Sequence, residues 1–346
     1  MNIRYPAPLK PGARIAVTAP SSGVQSALHP RLELVLGHLR AQGYVVIEGL
    51  CLRHEHGSAS APAGQRAAEL MHFLLRDDID AIIPPWGGEL AIEVLEKLDW
   101  AALQTARPKW LLGYSDSSTW MLAITLRLGW ATAHGPCLMD LAPGQNDPLT
   151  LNALKTLTQT AGGHIEQDQS QHWQLQWTDF ADVPSTTYQL TEPTRWWALQ
   201  DQDTVQCSGR LMGGCIDTLV HTAQSAFGDV RAFIEAHPAD GTLLYLENAE
   251  LSPTALVRAL HQLRWAGWLS GINGLLIGRS AAPDTHQAHE LRYVQALQSC
   301  LGDAPFPVLV DVDIGHRPPQ MVLINGALAQ VQWSVAEGGR LSQQLV

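Results

Sequence analysis

The amino-acid sequence predicts an α/β protein built from two domains. Its 346 residues are about twice the usual length of a single domain, which is roughly 150 residues. Short apolar runs typical of buried strands alternate with runs whose apolar residues recur at helical spacing. Continuous apolar strands separated by amphipathic helices favour a parallel sheet covered by helices on both faces. We therefore expect an N-terminal parallel-sheet α/β domain and a C-terminal α/β domain with a mixed sheet.

The alternation of strand and helix begins near the N-terminus and continues to about residue 128. The predicted strands are 14–20, 44–47, 81–83 and 110–114. The predicted helices that alternate with them are 32–39, 67–75, 90–98 and 121–128. Each strand is thus followed by a helix, which is the connection that parallel strands require.

A change in composition marks the expected boundary between the domains. Between residues 161 and 193 the chain is rich in Gln, Asp, Ser and Thr, which favours a linker with room for short antiparallel strands. Further buried strands are predicted at 242–246, 274–277 and 308–310, and a long helix begins at Pro253, a residue typical of a first helical turn. The predicted division is 1–165 for the N-terminal domain, 166–193 for the linker and 194–346 for the C-terminal domain.

Charge and composition exclude several classes of protein. The formal net charge is −11 and no Lys/Arg cluster interrupts it, so nucleic acid and anionic membrane surfaces are not expected partners. The first residues lack the apolar stretch of a secretory signal, and no run of 18 apolar residues occurs. We therefore expect a soluble, cytoplasmic protein.

The five cysteines are odd in number, widely spaced and form no C-x-x-C pair. This pattern is typical of reduced thiols in a cytosolic core rather than of a disulfide framework or a zinc site. The residues expected in the core are Cys51, Cys137, Cys207, Cys215 and Cys300.

The first candidate for chemistry is Ser115, which lies where a predicted strand ends and a predicted helix begins. A serine on such a tight corner projects beyond the carboxyl end of the strand, where ligands of open α/β sheets bind. The nearby helix N-terminus favours developing negative charge. Ser115 is therefore a candidate nucleophile. The alternative is that Ser115, Asp116, Ser117 and Ser118 only cap the helix, since Ser and Asp are common caps.

A second strand-to-helix corner carries Trp86, Gly87, Gly88 and Glu89. Paired glycines allow backbone N–H groups to approach a ligand closely, as an oxyanion hole requires. The alternative is a simple turn that uses glycine for its backbone angles, with Glu89 in a first helical turn where a carboxylate is stabilised without a catalytic task.

Two further candidates follow apolar strands in the second half of the chain. Glu247 lies at the carboxyl end of the strand predicted at 242–246, and a buried carboxylate there needs a partner. His316 lies in a Gly- and Pro-containing loop after the strand predicted at 308–310. Taken singly, a histidine is more often structural. Serine, glutamate and histidine together are the set needed for an activated serine, its proton acceptor and a group that fixes the imidazole tautomer.

Metal and nucleotide cofactors are not predicted. His54, Glu55 and His56 could contact a metal, but no third ligand stands at a useful spacing and no H-E-x-x-H motif occurs. The chain also lacks a phosphate-binding G-x-x-x-x-G-K-[ST] motif and a dinucleotide fingerprint after the first strand.

Taken together, these motifs resemble peptidase family S66, the serine peptidases that include bacterial L,D-carboxypeptidases and microcin C self-immunity peptidases. The likeness extends over nearly the whole chain. The motifs that carry it are Leu9-Lys10-Pro11-Gly12, Ala19-Pro20-Ser21-Ser22, Trp86-Gly87-Gly88, Gly113-Tyr114-Ser115-Asp116, His134-Gly135-Pro136, Gly209-Arg210-Leu211-Met212-Gly213-Gly214, Leu246-Glu247 and Gly315-His316.

The resemblance implies a role for each candidate residue. Ser115 is the implied nucleophile, His316 its general base and Glu247 the carboxylate that orients the base. The backbone N–H groups of Gly88 and Asp116 are the implied oxyanion hole. The resemblance also places the active site in the cleft between the two domains, without a metal or cofactor, and implies a homodimer. We further expect contacts to the substrate from Trp86 and Gly87.

Departures from the family pattern concern the substrate. Many relatives have Arg at the position of Trp86, Asp at the position of Asn248 and Asn at the position of Cys215. We predict a serine-type carboxypeptidase that hydrolyses a small peptide-like amide, such as the L,D bond of a muropeptide tetrapeptide.

Three alternatives stay open at this stage. The first is a microcin-immunity-type peptidase that cleaves peptidyl- or aminoacyl-nucleotide conjugates. Trp86 favours it, as does Thr191-Glu192-Pro193 ahead of Trp196 and Trp197, which either stack on a base or belong to the core. The second is a catalytically silent ligand-binding protein. The third, an enzyme like the class I amidotransferases, would need Cys at position 115.

Overall fold

The structure is a computed structural model that describes residues 2–177, 179–285, 287 and 289–346. Met1 of the predicted N-terminal domain, Thr178 of the predicted linker, and His286 and Ala288 of the predicted C-terminal domain lie outside the described residues.

Strands and helices alternate through the first third of the described chain, as expected. The strands are β1 (Arg14–Val17), β2 (Val45–Glu48), β3 (Ala81–Ile82), β4 (Trp110–Gly113), β5 (Ala133–His134), β6 (His164–Asp168), β7 (His172–Trp173), β8 (Glu192–Pro193), β9 (Trp197–Ala198), β10 (Thr204–Cys215), β11 (Thr242–Glu247), β12 (Gly274–Gly278), β13 (Val308–Val312), β14 (Leu323–Ile324), β15 (Leu328–Ser334) and β16 (Gly338–Gln344). The α-helices are α1 (His29–Ala41), α2 (Ala63–Leu75), α3 (Trp100–Thr105), α4 (Ser117–Leu128), α5 (Pro148–Leu151), α6 (Ala153–Thr156), α7 (Ile216–Leu219), α8 (Val230–Ala236), α9 (Pro253–Trp265) and α10 (Tyr293–Leu301). Short 3₁₀ helices cover Ser26–Leu28, Ala91–Lys97 and Leu138–Asp140.

The first sheet has the strand order β14-β5-β4-β3-β1-β2, and β1 to β5 are parallel. Ile15, Ala16 and Val17 of β1 are fully buried, because helices cover both faces of the sheet. The antiparallel edge strand β14 comes from the C-terminal part of the chain and pairs Leu323 with His134. The parallel-rich first sheet confirms the predicted fold class.

The second sheet has the order β6-β16-β15-β10-β11-β12-β13-β9. Its centre, β10 to β13, is parallel, while β6, β16, β15 and β9 add antiparallel strands. The sheet is therefore mixed, as the fold prediction states. Its parallel strands end on the same edge, so Glu247 at the end of β11 and the loop after β13 are neighbours in space.

The segment from 161 to 193 contains short antiparallel strands. β6 pairs with β16 at the edge of the second sheet, and β7 pairs with β8. The predicted division between residues 165 and 166 falls inside β6, and the domain bounds stay a prediction. The helix expected at 90–98 is a 3₁₀ helix over Ala91–Lys97, where the buried Asp116 carboxylate and the Arg66 guanidinium hold the first turn.

Close packing joins the two halves of the chain behind the strand-to-helix corner of Ser115. A Cβ added at Gly214 of β10 would lie 2.7 Å from the Cβ and the Oγ of Ser118 in α4, so only glycine fits there. The N–H of Cys215 donates to Ser118 Oγ at 3.1 Å. Gly214 therefore allows β10, the strand beside β11, to approach the helix that follows Ser115.

The five cysteines are free and buried, as expected from their spacing. Within the described ranges, no helix combines the length and the apolarity that crossing a bilayer would require.

Candidate active site

Ser115 lies on a tight turn between β4 and α4. Its φ is 60°, a left-handed conformation that is uncommon for residues with a side chain and recurs at functional sites. The backbone bonds of the turn, such as Ser118 N–H to Ser115 C=O at 2.9 Å, fix this conformation. The hydroxyl consequently projects away from the sheet and from the helix backbone.

The side chains at this corner do more than cap α4. Asp116 makes no side-chain cap to the helix backbone. Its buried carboxylate instead accepts hydrogen bonds from Ser21 Oγ at 2.6 Å and from the N–H of Ala91 at 2.7 Å. Asp116 therefore ties the loops after β1 and β3 to the corner that carries Ser115.

Ser115, His316 and Glu247 form one chain of hydrogen bonds. His316 Nε2 lies 3.0 Å from Ser115 Oγ, and His316 Nδ1 lies 2.8 Å from Glu247 Oε2. Since an ionised carboxylate only accepts hydrogen bonds, Nδ1 carries the proton toward Glu247 and Nε2 is free to accept from the serine hydroxyl. The structure thus brings together three residues that are more than 60 positions apart in sequence.

The histidine and the glutamate form a buried ion pair when the imidazole is protonated. Burial opposes the charge on both groups, but their attraction outweighs it. Burial alone would lower the pKa of His316, yet the Glu247 carboxylate raises it above 6.5. Burial likewise raises the pKa of Glu247, but His316 lowers it below its usual 4.5. The site therefore favours a charged imidazole, which is the species formed when a base accepts a proton.

Aromatic rings and a neutral histidine pack against this pair, and the carboxylates of Asp217 and Asp140 also act on His316 from nearby. The ring of Tyr114 packs edge-on against His316, with 4.8 Å between ring centroids. His134 lies at the end of β5, is fully buried, and contacts the ring of Tyr245 in the same manner. Burial lowers the pKa of His134 to about 4, so it stays neutral behind the Glu247–His316 pair. Sequence analysis gave His134 no role of its own, although it belongs to a family motif.

The loop after β3 places Gly87 and Gly88 against Ser115. A Cβ added at Gly87 would lie 2.6 Å from Ser115 Oγ and 2.8 Å from the Asp116 nitrogen, so the loop backbone touches the serine directly. The N–H of Ser22 donates to the Gly87 carbonyl at 3.2 Å and fixes the loop. Within the described residues, the N–H groups of Gly88 and Asp116 donate to no protein acceptor. Two backbone donors thus remain available in the two segments that meet at Ser115.

The tryptophans near the site differ in exposure. Trp86 is half-buried, and its indole N–H donates to the Gly23 carbonyl at 3.2 Å. Trp196 is 3% exposed and donates to Asp313 at 3.0 Å, while Trp197 donates to Asp311 at 2.8 Å. Trp196 therefore belongs to the core of the second half and cannot stack on a ligand.

One group of side chains in the described part of the molecule has the spacing of metal ligands. Cys215, Glu247 and His316 offer one sulfur, one oxygen and one nitrogen within 4.8 Å of one another. The nitrogen that faces the carboxylate already donates to it, and burial holds the pKa of Cys215 well above 9. A metal would have to displace both protons. In the loop with His54 and His56, Glu55 accepts from the N–H of Gly23 at 2.7 Å.

Asp217 is a further residue at the site that the sequence did not reveal. Its carboxylate accepts from the N–H groups of Ala249, Glu250 and Leu251, at 2.8 to 3.1 Å. It therefore fixes the loop that follows Glu247. An aspartate in the first turn of the short helix α7 carries no local signal of this long-range role.

A large cavity in the described part of the chain lies away from these residues. It has a volume of about 950 Å³ and extends along β6, between that strand and α5 and α6. Its lining reaches Pro319 in the loop that carries His316 but includes none of Ser115, Glu247 and His316. This cavity and the candidate catalytic residues therefore lie in different places.

Comparison with known proteins agrees with this architecture. The model of the LD-carboxypeptidase N-terminal domain matches residues 15–135, and that of the LD-carboxypeptidase C-terminal domain matches residues 208–331. A Bacillus subtilis protein named "Probable murein peptide carboxypeptidase" is 26% identical over 94% of this chain and 90% of its own length. The microcin C7 self-immunity protein MccF of Escherichia coli is 23% identical over 92% of this chain and 90% of its own length.

Solved structures show the same fold. MccF in complex with glutamyl sulfamoyl guanosine superposes with a TM-score of 0.82 at 21% identity, covering 98% of each chain. The muramoyltetrapeptide carboxypeptidase from Oxalobacter formigenes superposes with a TM-score of 0.72 at 23% identity, covering 96% of this chain and 99% of its own.

A parallel-rich sheet, a second mixed sheet and the two matching domain models place the chain in a class of peptidases. The chain belongs to the LD-carboxypeptidase family, peptidase family S66. The resemblance inferred from its motifs is thereby confirmed.

Proposed function

We propose that the protein is a serine-type carboxypeptidase that hydrolyses a small peptide-like amide through Ser115, His316 and Glu247. The observation that supports this proposal most directly is the continuous hydrogen-bonded chain from the hydroxyl through the imidazole to the carboxylate. Its order and distances are those that general-base activation of a serine requires.

The proposed reaction begins when His316 Nε2 accepts the proton of Ser115 and the oxygen attacks the amide carbonyl. Glu247 holds Nδ1–H, which keeps Nε2 free as the acceptor and stabilises the imidazolium that forms. His316 then donates its proton to the leaving amine, and water, activated by the same imidazole, releases the acyl group from Ser115. The reaction written in this way needs no cofactor.

The oxyanion of the tetrahedral intermediate is assigned to the N–H groups of Gly88 and Asp116. Both are unpaired within the described residues, and both belong to segments that Asp116 and Ser22 hold in place. A donor aimed at a developing oxyanion typically contributes ~3 kcal/mol to the barrier. These two backbone groups therefore matter about as much to the rate as the side chains do.

The proposed substrate is a muropeptide tetrapeptide, cleaved at its L,D bond. Family membership supports this choice, as do the names of relatives that act on murein peptides. A cytoplasmic location and a homodimer belong to the same proposal. Trp86 and Gly87 are the residues proposed to contact the substrate next to the scissile bond.

A second candidate substrate is an aminoacyl-nucleotide conjugate of the microcin type. MccF has been solved with glutamyl sulfamoyl guanosine and with aspartyl sulfamoyl adenosine. The observation that favours this substrate is Trp177, whose side chain is 43% exposed. Its segment contacts the loop that carries His316, because the N–H of Gln174 donates to the Pro318 carbonyl at 2.8 Å. An exposed indole at that place could stack on a nucleobase.

The test compares wild-type protein and Ser115→Ala on both substrates, with thermal unfolding as the check on folding. We expect wild type to release the terminal D-amino acid from the tetrapeptide, and Ser115→Ala to lose turnover without a lower Tm. Preference for the aminoacyl-nucleotide would select the second candidate. A wild-type protein that a fluorophosphonate probe does not label, and that binds substrate without turnover, would identify a catalytically silent binding protein. Full activity in Ser115→Ala would reject the serine assignment.

A further inference from the structure

We propose that Arg279, paired with Asp313, is a positioning residue that sets the loop carrying His316 and thereby aims the imidazole at Ser115. This inference rests on the proposed role of His316 as the base. It concerns residues that lie outside the hydrogen-bonded chain of Ser115, His316 and Glu247.

The two residues stand at the ends of neighbouring parallel strands. Arg279 directly follows β12 and Asp313 directly follows β13. Their side chains are 5% and 0% exposed, and Arg279 Nη1 lies 2.6 Å from Asp313 Oδ1. An arginine this deeply buried is uncommon and must be paired and fully hydrogen-bonded.

The other three hydrogen bonds of Arg279 all go to the loop that carries His316. Nη2 donates to the carbonyls of Pro319 at 2.7 Å and Arg317 at 2.9 Å, and Nε donates to the Arg317 carbonyl at 3.2 Å. One planar guanidinium therefore fixes two carbonyls at one and three positions after the imidazole. A fork of fixed geometry of this kind gives directional control that a flexible ammonium lacks.

Asp313 anchors the other side of the arginine. Its Oδ1 also accepts from Ser170 Oγ at 2.5 Å, and its Oδ2 accepts from Ser170 N–H and Trp196 Nε1, each at 3.0 Å. Both carboxylate oxygens of Asp313 thus accept two hydrogen bonds each. These bonds hold the carboxylate in place even if the arginine side chain moves. The anchor ties the loop of His316 to the segment between β6 and β7.

The proposed role of this ion pair is to position the loop that carries His316, rather than only to stabilise the fold. A buried ion pair is often no more stabilising than apolar residues of the same volume. The distinctive feature of this ion pair is that three of the four hydrogen bonds of Arg279 go to the loop that carries His316. Loss of the fork should allow the loop to shift, and a misplacement of about 1 Å typically costs ~100-fold in rate.

The chain contains a matched control for this arginine. Arg210 of β10 also bonds a carboxylate, Asp240, at 2.6 Å, and its Nη1 donates to the carbonyls of Gly326 and Val346 at 2.8 Å each. It lies beside the start of β11, at the end of the second sheet opposite to Glu247. Replacing it removes comparable bonds without touching the loop of His316.

The experiment compares Arg279→Lys with Arg210→Lys in the full chain. We expect both to unfold at a lower temperature. Arg279→Lys alone should lower kcat ~100-fold with little change in KM. It should also lower the pKa of His316, measured by NMR titration of the imidazole, because the contact with Glu247 loosens. Wild-type kcat and an unchanged His316 titration in folded Arg279→Lys would overturn the proposal.

Two further measurements keep the test decisive. Ser170→Ala removes one bond to Asp313 and should produce the same changes in a smaller degree, so it replaces Arg279→Lys if that variant does not fold. An unchanged His316 titration and kcat in Ser170→Ala would then count against the proposal.

The NMR titration does not require turnover. Absence of Ser115-dependent activity in wild type would therefore reject the proposed function, while the imidazole shift would still report on the role of Arg279.

Discussion

Replacing Gly87 by Ala tests the proposed active site at its tightest contact. The added Cβ would lie 2.6 Å from both Ser115 Cβ and Ser115 Oγ, and 2.8 Å from the nitrogen of Asp116. Carbon atoms in ordinary contact stay about 3.5 Å or more from their neighbours, so the serine or the loop must move by nearly 1 Å. The backbone of Gly87 itself tolerates alanine, because its φ is not in the left-handed region.

The expected loss follows from that displacement. Moving the hydroxyl by about 1 Å relative to His316 costs ~100-fold in kcat, which corresponds to ~2.7 kcal/mol of barrier. The same methyl group would lie 2.8 Å from the nitrogen of Asp116, a proposed oxyanion donor, and loss of one such donor typically costs ~100- to 1,000-fold. We therefore expect Gly87→Ala to lose at least ~100-fold in kcat.

The assay measures kcat, labelling of Ser115 by a fluorophosphonate and thermal unfolding. Gly37→Ala is the matched control, since a Cβ at that exposed position in α1 meets no atom within 4 Å. This control should keep full activity and gain roughly 0.5–1 kcal/mol in the free energy of unfolding, because alanine favours helix more than glycine. A folded Gly87→Ala protein with wild-type kcat would refute the placement of the loop against the reacting serine.

Two further predictions concern the base and the substrate. Glu247→Gln should lower kcat by ~10⁴-fold, because an amide can hold the wrong imidazole tautomer. In wild type the raised pKa of His316 keeps the ring protonated to a pH above 6.5, so kcat/KM should fall as the pH falls through that raised pKa. In Glu247→Gln the pH at which kcat/KM falls should be lower, because the carboxylate that raises the pKa is absent. An unchanged pH dependence in the variant would contradict the pairing of His316 with Glu247. Trp86→Arg should raise kcat/KM for peptides with a free carboxyl terminus relative to amidated ones by ~10-fold or more, since arginine pairs with carboxylates. An unchanged ratio of the two kcat/KM values would separate position 86 from substrate selection.

The elements that the sequence predicted well are those whose signal is local. Continuous apolar runs gave the parallel strands near Ile15, Leu111 and Leu244, because strands buried on both faces cannot carry polar residues. The helix after Leu90 was predicted, but its 3₁₀ geometry was not, because that geometry depends on Asp116 and Arg66, which are distant in sequence. Pairing of β14 with β5 was missed for the same reason.

The candidate site also contains features that the sequence shows locally and contacts that it does not show. Corners such as the one at Ser115 are visible because a strand signal and a helix signal meet within a few residues. Nothing local shows that His316 meets Ser115 or that Arg279 meets Asp313, since those contacts depend on the order of strands in the second sheet. The resemblance carried by the order of the motifs predicted the contact between His316 and Ser115. The contact between Arg279 and Asp313 is seen only in the structure.

The relative placement of the two sheets explains how distant residues hold a hydrogen-bonded geometry. Asn325, just after β14, bonds to Thr132 beside β5 through its backbone N–H at 2.8 Å and through its side-chain amide at 3.1 Å. Its Oδ1 accepts from Gly213 N–H at 3.2 Å and from the Tyr245 hydroxyl at 2.9 Å. One buried side chain thus joins the first sheet to β10 and β11 of the second, and β11 ends at Glu247. Because this joint exists together with the 3.0 Å contact between Ser115 Oγ and His316 Nε2, the packing of the two sheets against each other holds the geometry of the proposed proton transfer.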